Sequence, residues 1–252
     1  MDAWDLTIRG EFQSSKYTQE ELLAGIELFT QARTIEPEFS PPIAGAAVSW
    51  LILYFLGWRE DGINPFQLGV RDAKTAHRLD PNNYRALTAM AIAECVDGRP
   101  EEGVALAIRM IELNPFGAFG YHWLGLGFCS LGDREKAVEA QTEAWRLCRH
   151  EPWHFDTAND LAWSHYFAGN YEAAIEWGLE CLKLLEFLQS RIVLAAAYAQ
   201  LDRVNEAHPH VEAVLTARPD FSLDRFRSHI VYVKDEDRDH LVEGLMKAGL
   251  SA

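Results

Sequence analysis

Positive charge is scarce in this chain. Of 252 residues, 23 are Lys or Arg against 38 Asp or Glu, a formal net charge of −15. A surface of that sign repels phosphate backbones and anionic bilayers, so nucleic acid is not an expected partner. Cysteine is equally sparse. Cys95, Cys129, Cys148 and Cys181 each lie inside a helical pattern with no CxxC spacing. They read as buried thiols in a reducing compartment, not as a disulfide framework or a zinc site. A basic leader is missing as well, since the chain opens acidic at Asp2 and Asp5, and a cytoplasmic location is expected. The one uncharged run, Ile43 to Trp58, is shorter than the roughly 20 residues a bilayer span requires. No membrane span is expected.

Catalytic signatures are absent too. There is no GxxxxGK[ST] and no GxSxG, and the Gly-rich run at Gly125-Leu126-Gly127 reaches Ser130 where GxGxxG needs glycine. The chain therefore reads as non-catalytic, with no cofactor. His150 and His154 have an i, i+4 spacing, but they flank Pro152, which breaks the helix such a metal pair needs. The acidic run from Asp235 to Asp239 reads as charge at a helix N-terminus with a solvated face, not as a calcium loop.

What is present is repetition. The segments starting at Tyr84 and at Ala118 superimpose on a shift of 34 residues, which carries Pro81 to Pro115, Ala91 to Gly125, Gly98 to Gly132 and Gly103 to Ala137. Each segment holds two apolar-periodic runs separated by a short polar turn, a helix-turn-helix unit. The same phase extends along the chain through six small residues, Gly25, Gly69, Gly103, Ala137, Ala174 and Ala207. These let paired helices approach closely. Units are expected at about 4–37, 40–81, 84–115, 118–151, 155–187 and 188–219, with a cap over 220–252. In the last unit Asp202 stands where the turn glycine falls, and Pro209 predicts a late start for the second helix. Thr18 followed by Glu21 resembles a capping box. The final helix is expected over 237–248, with Leu241, Leu245 and Met246 covering the last repeat.

The 34-residue period, with small residues at the eighth and twentieth positions, a turn glycine and Pro at the thirty-second, resembles the tetratricopeptide repeat. That resemblance implies an all-α, right-handed superhelical solenoid of about six helix pairs, twelve or so helices, plus a C-terminal capping helix. It also implies that the first helix of each pair lines a concave face through its second, fifth, ninth, twelfth and thirteenth positions. The candidate partner-binding residues there are Arg85, Phe119, His122, Leu126, Asn159, Trp163, Tyr166 and Phe167. Their aromatic character fits capture of a helix or an extended peptide. Equally, the aromatics could pack inside the array or under the cap. Only Arg85 and Asn159 match the basic and amide side chains of carboxylate-clamping arrays.

A narrower likeness rests on DAWDLTIRG at the start, ELFTQARTIEPEF, the LGW before a long loop at 57–66, HEPWHFDTANDLAWSHYFAGNYEAAIEWG, and RPDFSLDRFRSHIVYVKDEDRDHLVEGLMKAGL at the end. These are similar to the C-terminal tetratricopeptide region of bacterial class III adenylate/guanylate cyclase-type proteins, a kind of region that also accompanies winged-helix transcriptional regulators. The resemblance implies a regulatory or scaffolding role without cyclase chemistry. A protein or peptide partner is expected, with upstream domains of a longer parent as one candidate and a homodimer as another. The alternative is a small-molecule sensor enclosing its ligand among Phe119, His122, Trp163 and Tyr166.

Overall fold

The computed structural model describes residues 2–57, 62–230 and 233–251, and among them every regular element is an α-helix. Fourteen are present: α1 (Ala3–Ser14), α2 (Gln19–Ile35), α3 (Ser40–Phe55), α4 (Pro65–Leu79), α5 (Tyr84–Val96), α6 (Pro100–Leu113), α7 (Ala118–Leu131), α8 (Arg134–Leu147), α9 (His154–Phe167), α10 (Tyr171–Leu184), α11 (Leu188–Gln200), α12 (Val204–Ala217), α13 (Leu223–His229) and α14 (Asp235–Lys247). The chain divides into two compact units, residues 1–123 and 124–252, with the boundary inside α7.

In the first unit α1 packs on α2, α3 on α4 and α5 on α6, and the pairs stack through α2 on α3, α4 on α5 and α1 and α5 on α3. The second unit repeats the scheme with α9 on α10, α11 on α12, α10 on α11 and α9 on α11. Composition explains which helix lies inside. α11 buries 9 of its 13 residues, whereas its partner α12 buries only Ala207, His210, Val211 and Val214. First helices are covered on several sides, and second helices keep one apolar stripe against their partner.

Small residues set how close the pairs come. A Cβ placed on Gly25 would sit 2.9 Å from the Gly10 carbonyl oxygen, on Gly69 3.1 Å from that of Ala47, and on Gly103 3.0 Å from that of Ala91. The eighth and twentieth positions of these three pairs therefore touch backbone to backbone. Ala137, Ala174 and Ala207 are fully buried at the same place in later pairs.

The turn inside each of the last four pairs carries one left-handed residue. Gly98, Gly132 and Gly169 have φ of 79°, 73° and 77°, and Asp202 takes φ 58° where glycine is missing. Thr18 caps α2 by accepting the Glu21 amide at 3.3 Å. Glu21 itself pairs with Lys16 at 2.7 Å, which leaves the capping box half built.

Two expectations about the C-terminal region are corrected. α12 does not start late: it runs from Val204 with Pro209 inside it. The proline removes only the bond to the Asn205 carbonyl, which lies in an exposed first turn open to water. Met246 is not on the covered face of the last helix, being 56% exposed. The buried seam of α14 instead runs through Leu241 and Leu245 to the capping residue Ala248, and Met246 lies about 100° around the helix from Leu245. Of the long loop at 57–66, residues 58–61 lie outside the described residues. Among the described residues no helix is long and apolar enough to cross a membrane.

Candidate interaction surface

The candidate residues all belong to first helices, and each unit presents its own share. In the first unit Ala44, Val48 and Leu51 of α3 are buried. The Arg85 guanidinium of α5 pairs with Glu11 of α1 through Nε and Oε1 at 2.9 Å, joining two helices that both pack on α3. Arg85 also lies 5.7 Å from the Tyr84 ring centre, and Tyr84 sits 6.0 Å from Phe119. These four side chains make a polar and aromatic edge, with Tyr84 largely exposed. His122 is on the inside. It is buried against Trp123, edge to face at 4.7 Å, and burial pulls its pKa down to about 4.

In the second unit α9 carries the surface. Trp163 and Phe167 are half-buried, with ring centres 5.8 Å apart. Leu126 of α7 is likewise half-buried. Asn159 faces inward: its Oδ1 accepts from the Ser190 hydroxyl at 2.9 Å, and its Nδ2 donates to Asp160 at 3.3 Å. Gln141 donates to the other Asp160 oxygen at 3.3 Å. Burial, reinforced by the Asp156 carboxylate, holds Asp160 well above the usual carboxylate range, so this polar seam between α8, α9 and α11 is structural and costly to disturb.

Tyr166 is fully buried, and the cover over it is α14. Its hydroxyl donates to the His240 carbonyl at 3.3 Å and accepts from Gln200 at 3.3 Å, and burial pushes its pKa upward. A Cβ on Gly244 would lie 2.7 Å from that hydroxyl, so the two helices meet where α14 has no side chain. His240 Nε2 lies 2.8 Å from the Tyr171 hydroxyl. Further back along the array, Asp237 is only 5% exposed and pairs with Arg134 at 2.7 Å. Lys234 lies over Gly132, its Nζ 2.7 Å from where a Cβ would be.

Sequence reasoning placed Tyr166 on the first-helix face but missed Arg134, Tyr171, Gln200 and His240, which hold α14. Gly244 inside an otherwise good helical sequence was the available signal, since a mid-helix glycine marks close approach. Asp237 was read as part of a solvated acidic face and is instead buried in an ion pair. Cys95, Cys148 and Cys181 are buried as expected, whereas Cys129 is half-buried, which corrects the expectation for that residue. Burial raises Cys148 and pushes Cys181 up to about 12, so neither is a reactive thiolate.

Comparison with known proteins places the fold. The sequence profile of the tetratricopeptide repeat matches residues 155–186, the α9–α10 pair. No curated protein matches the sequence at a significant level. Among solved structures, the human IFIT1 dimer with m7Gppp-AAAA superposes with TM-score 0.69 at 15% identity, over 91% of this chain and 56% of that one. The APC/C hetero-tetramer Cut9-Hcn1 gives 0.64 at 17% identity, over 90% of this chain and 40% of that one. TTC0263, a thermophilic tetratricopeptide protein of Thermus thermophilus, gives 0.61 at 18% identity, over 77% and 98%. The chain thus spans under two thirds of the first two of these proteins. The fold is an all-α helical-repeat array of the tetratricopeptide type.

Proposed function

We propose that this chain is a non-catalytic interaction or scaffold module that binds a protein or peptide partner through its first helices. The observation that carries this reading is the side-chain division on α9. Tyr166 is used to build the interior, whereas the adjacent Trp163 and Phe167 stay half-open as a paired aromatic surface. A ring pair of this kind supplies large, rigid, apolar contact area at low conformational cost. Arg85 and Phe119 form the corresponding edge of the first unit, where Arg85 is positioned by Glu11. His122 and Asn159 support the surface from within and are assigned no partner contact.

The resemblance to regions carried by cyclase-type proteins adds a regulatory setting. Upstream domains of a longer parent, or a second copy, are then candidate partners. The buried free thiols of Cys148 and Cys181 fit a reducing, cytoplasmic environment. The net charge of −15 favours partners with basic flanks and steers their approach.

The test uses peptides selected from a displayed library on the intact chain. Trp163→Ala and Phe167→Ala are expected to weaken the selected peptides by about 30-fold, or ~2 kcal/mol, with melting temperature little changed. Retained affinity, or a stability loss of about 3 kcal/mol or more with affinity intact among folded molecules, assigns both rings to the core and removes the surface.

A further inference from the structure

The geometry points to α14 as an exchangeable occupant of the second unit's first-helix face, and to an amphipathic helix of α14's own kind as the partner that face accepts. This inference rests on the binding reading above. A cap that only closes the array needs to touch the last pair, α11 and α12. α14 does more. Its contacts run back through Gln200 at the end of α11, Tyr166 on α9, Tyr171 at the start of α10 and Arg134 at the start of α8, which belong to three successive pairs.

The seat has a readable specificity. Leu241, Leu245 and Ala248 are buried, and between them Gly244 faces the Tyr166 hydroxyl and Ala196. The seam therefore asks for Leu, a small residue, Leu and a small residue at i, i+3, i+4 and i+7. At its N-terminal end the helix offers a carboxylate, Asp237, to Arg134. That matches an acidic first turn to a cation at the start of α8, beside the face. Lys247 reaches the Gln200 side-chain carbonyl oxygen at 3.3 Å at the other end.

Exchange is favoured by what the seam lacks. Within the helix only Leu241 and Leu245 bring large buried side chains to the seam, with Val233 and Leu250 buried just outside it, so the helical turns themselves bury modest apolar area. A 13-residue helix is also marginal once undocked, and such elements open locally before the rest of a fold. Tethering gives α14 a high effective concentration over any partner, so a free helix of the same pattern competes only where α14 is released.

The test adds a fluorescein-labelled synthetic peptide of residues 233–251 to the full chain. Gly244→Leu places a side chain against Tyr166 and prevents docking of the chain's own helix while leaving the receiving face intact. The Gly244→Leu chain is expected to bind the wild-type peptide at least tenfold more tightly than the unaltered chain does. Equal affinity, or no binding to either, overturns the inference. Should Gly244→Leu fail to fold, Asp237→Asn decides: hydrogen exchange of α14 amides is expected to speed at least tenfold with α9 and α11 unchanged. Exchange of all three helices in step would show that α14 is an inseparable part of the fold. Both readouts are independent of the Trp163 and Phe167 variants, so either idea can fail alone.

Discussion

At the scale of single residues, backbone sign and buried charge carry most of the consequences. The turn glycines Gly98 and Gly169 have positive φ, and a Cβ at either would meet nothing within 4 Å. A change to alanine there therefore measures backbone strain without steric clash. Gly98→Ala and Gly169→Ala should each cost about 1 kcal/mol in urea unfolding, the left-handed penalty less the entropy gained in the unfolded chain. Gly169→Asp should cost less, because Asp202 already holds the same conformation in the last pair. Losses of zero in both alanine variants would contradict the turn geometry.

His122 supplies a pH prediction. Burial depresses its folded-state pKa from 6.5 to about 4, and His210 is depressed similarly by burial and by the neighbouring Arg191. The neutral imidazole is the folded form, so the stability it contributes is present above pH 6.5 and is lost as pH falls towards 4. The loss approaches about 3 kcal/mol for His122 if the unfolded chain titrates normally. Urea midpoints between about pH 7 and 5 should fall, and His122→Gln should flatten that fall. A midpoint independent of pH would place His122 in contact with water.

At the scale of elements, the paired small residues explain the packing and give its most direct test. Ala174→Leu and Ala137→Leu should each destabilise by roughly 1–3 kcal/mol through overpacking, since both positions are completely covered. On α1, by contrast, Ile8 and Phe12 are exposed, Phe12 at 67%. They occupy the places that Gly45 and Ser49 take when a preceding pair covers them. Ile8→Gln and Phe12→Gln should change stability by less than about 0.5 kcal/mol, as read by thermal melts.

The helix pairs were legible in the sequence because their cause is local: a 34-residue phase of small residues, turn glycines and apolar runs. Those same signals gave the left-handed turn and even its Asp202 substitute. The seating of α14 was not legible, because it depends on contacts such as Arg134 to Asp237 that join residues far apart in sequence. Nothing in the periodicity of α9 distinguishes Tyr166, which is buried, from Trp163 and Phe167, which are half-open. That division is made by α14, which packs on Tyr166. The full burial of His122 was likewise invisible, since a histidine at a face position reads the same whichever way the ring turns.

At the scale of the whole molecule, two compact units of helix pairs present first helices with different chemistry: an Arg85–Glu11 ion pair beside Tyr84 and Phe119 in one, and α9 aromatics next to α14 in the other. With a net charge of −15, peptides bearing basic flanks should associate more slowly as salt rises from about 50 to about 300 mM, with dissociation little altered. The central claim is that partners engage the first helices. It is tested most directly by amide hydrogen exchange on the intact chain with and without a selected peptide. Added protection is expected on α9 and the adjoining part of α7, with α8, α10 and α12 unchanged. Protection confined to α8, α10 and α12 would contradict it.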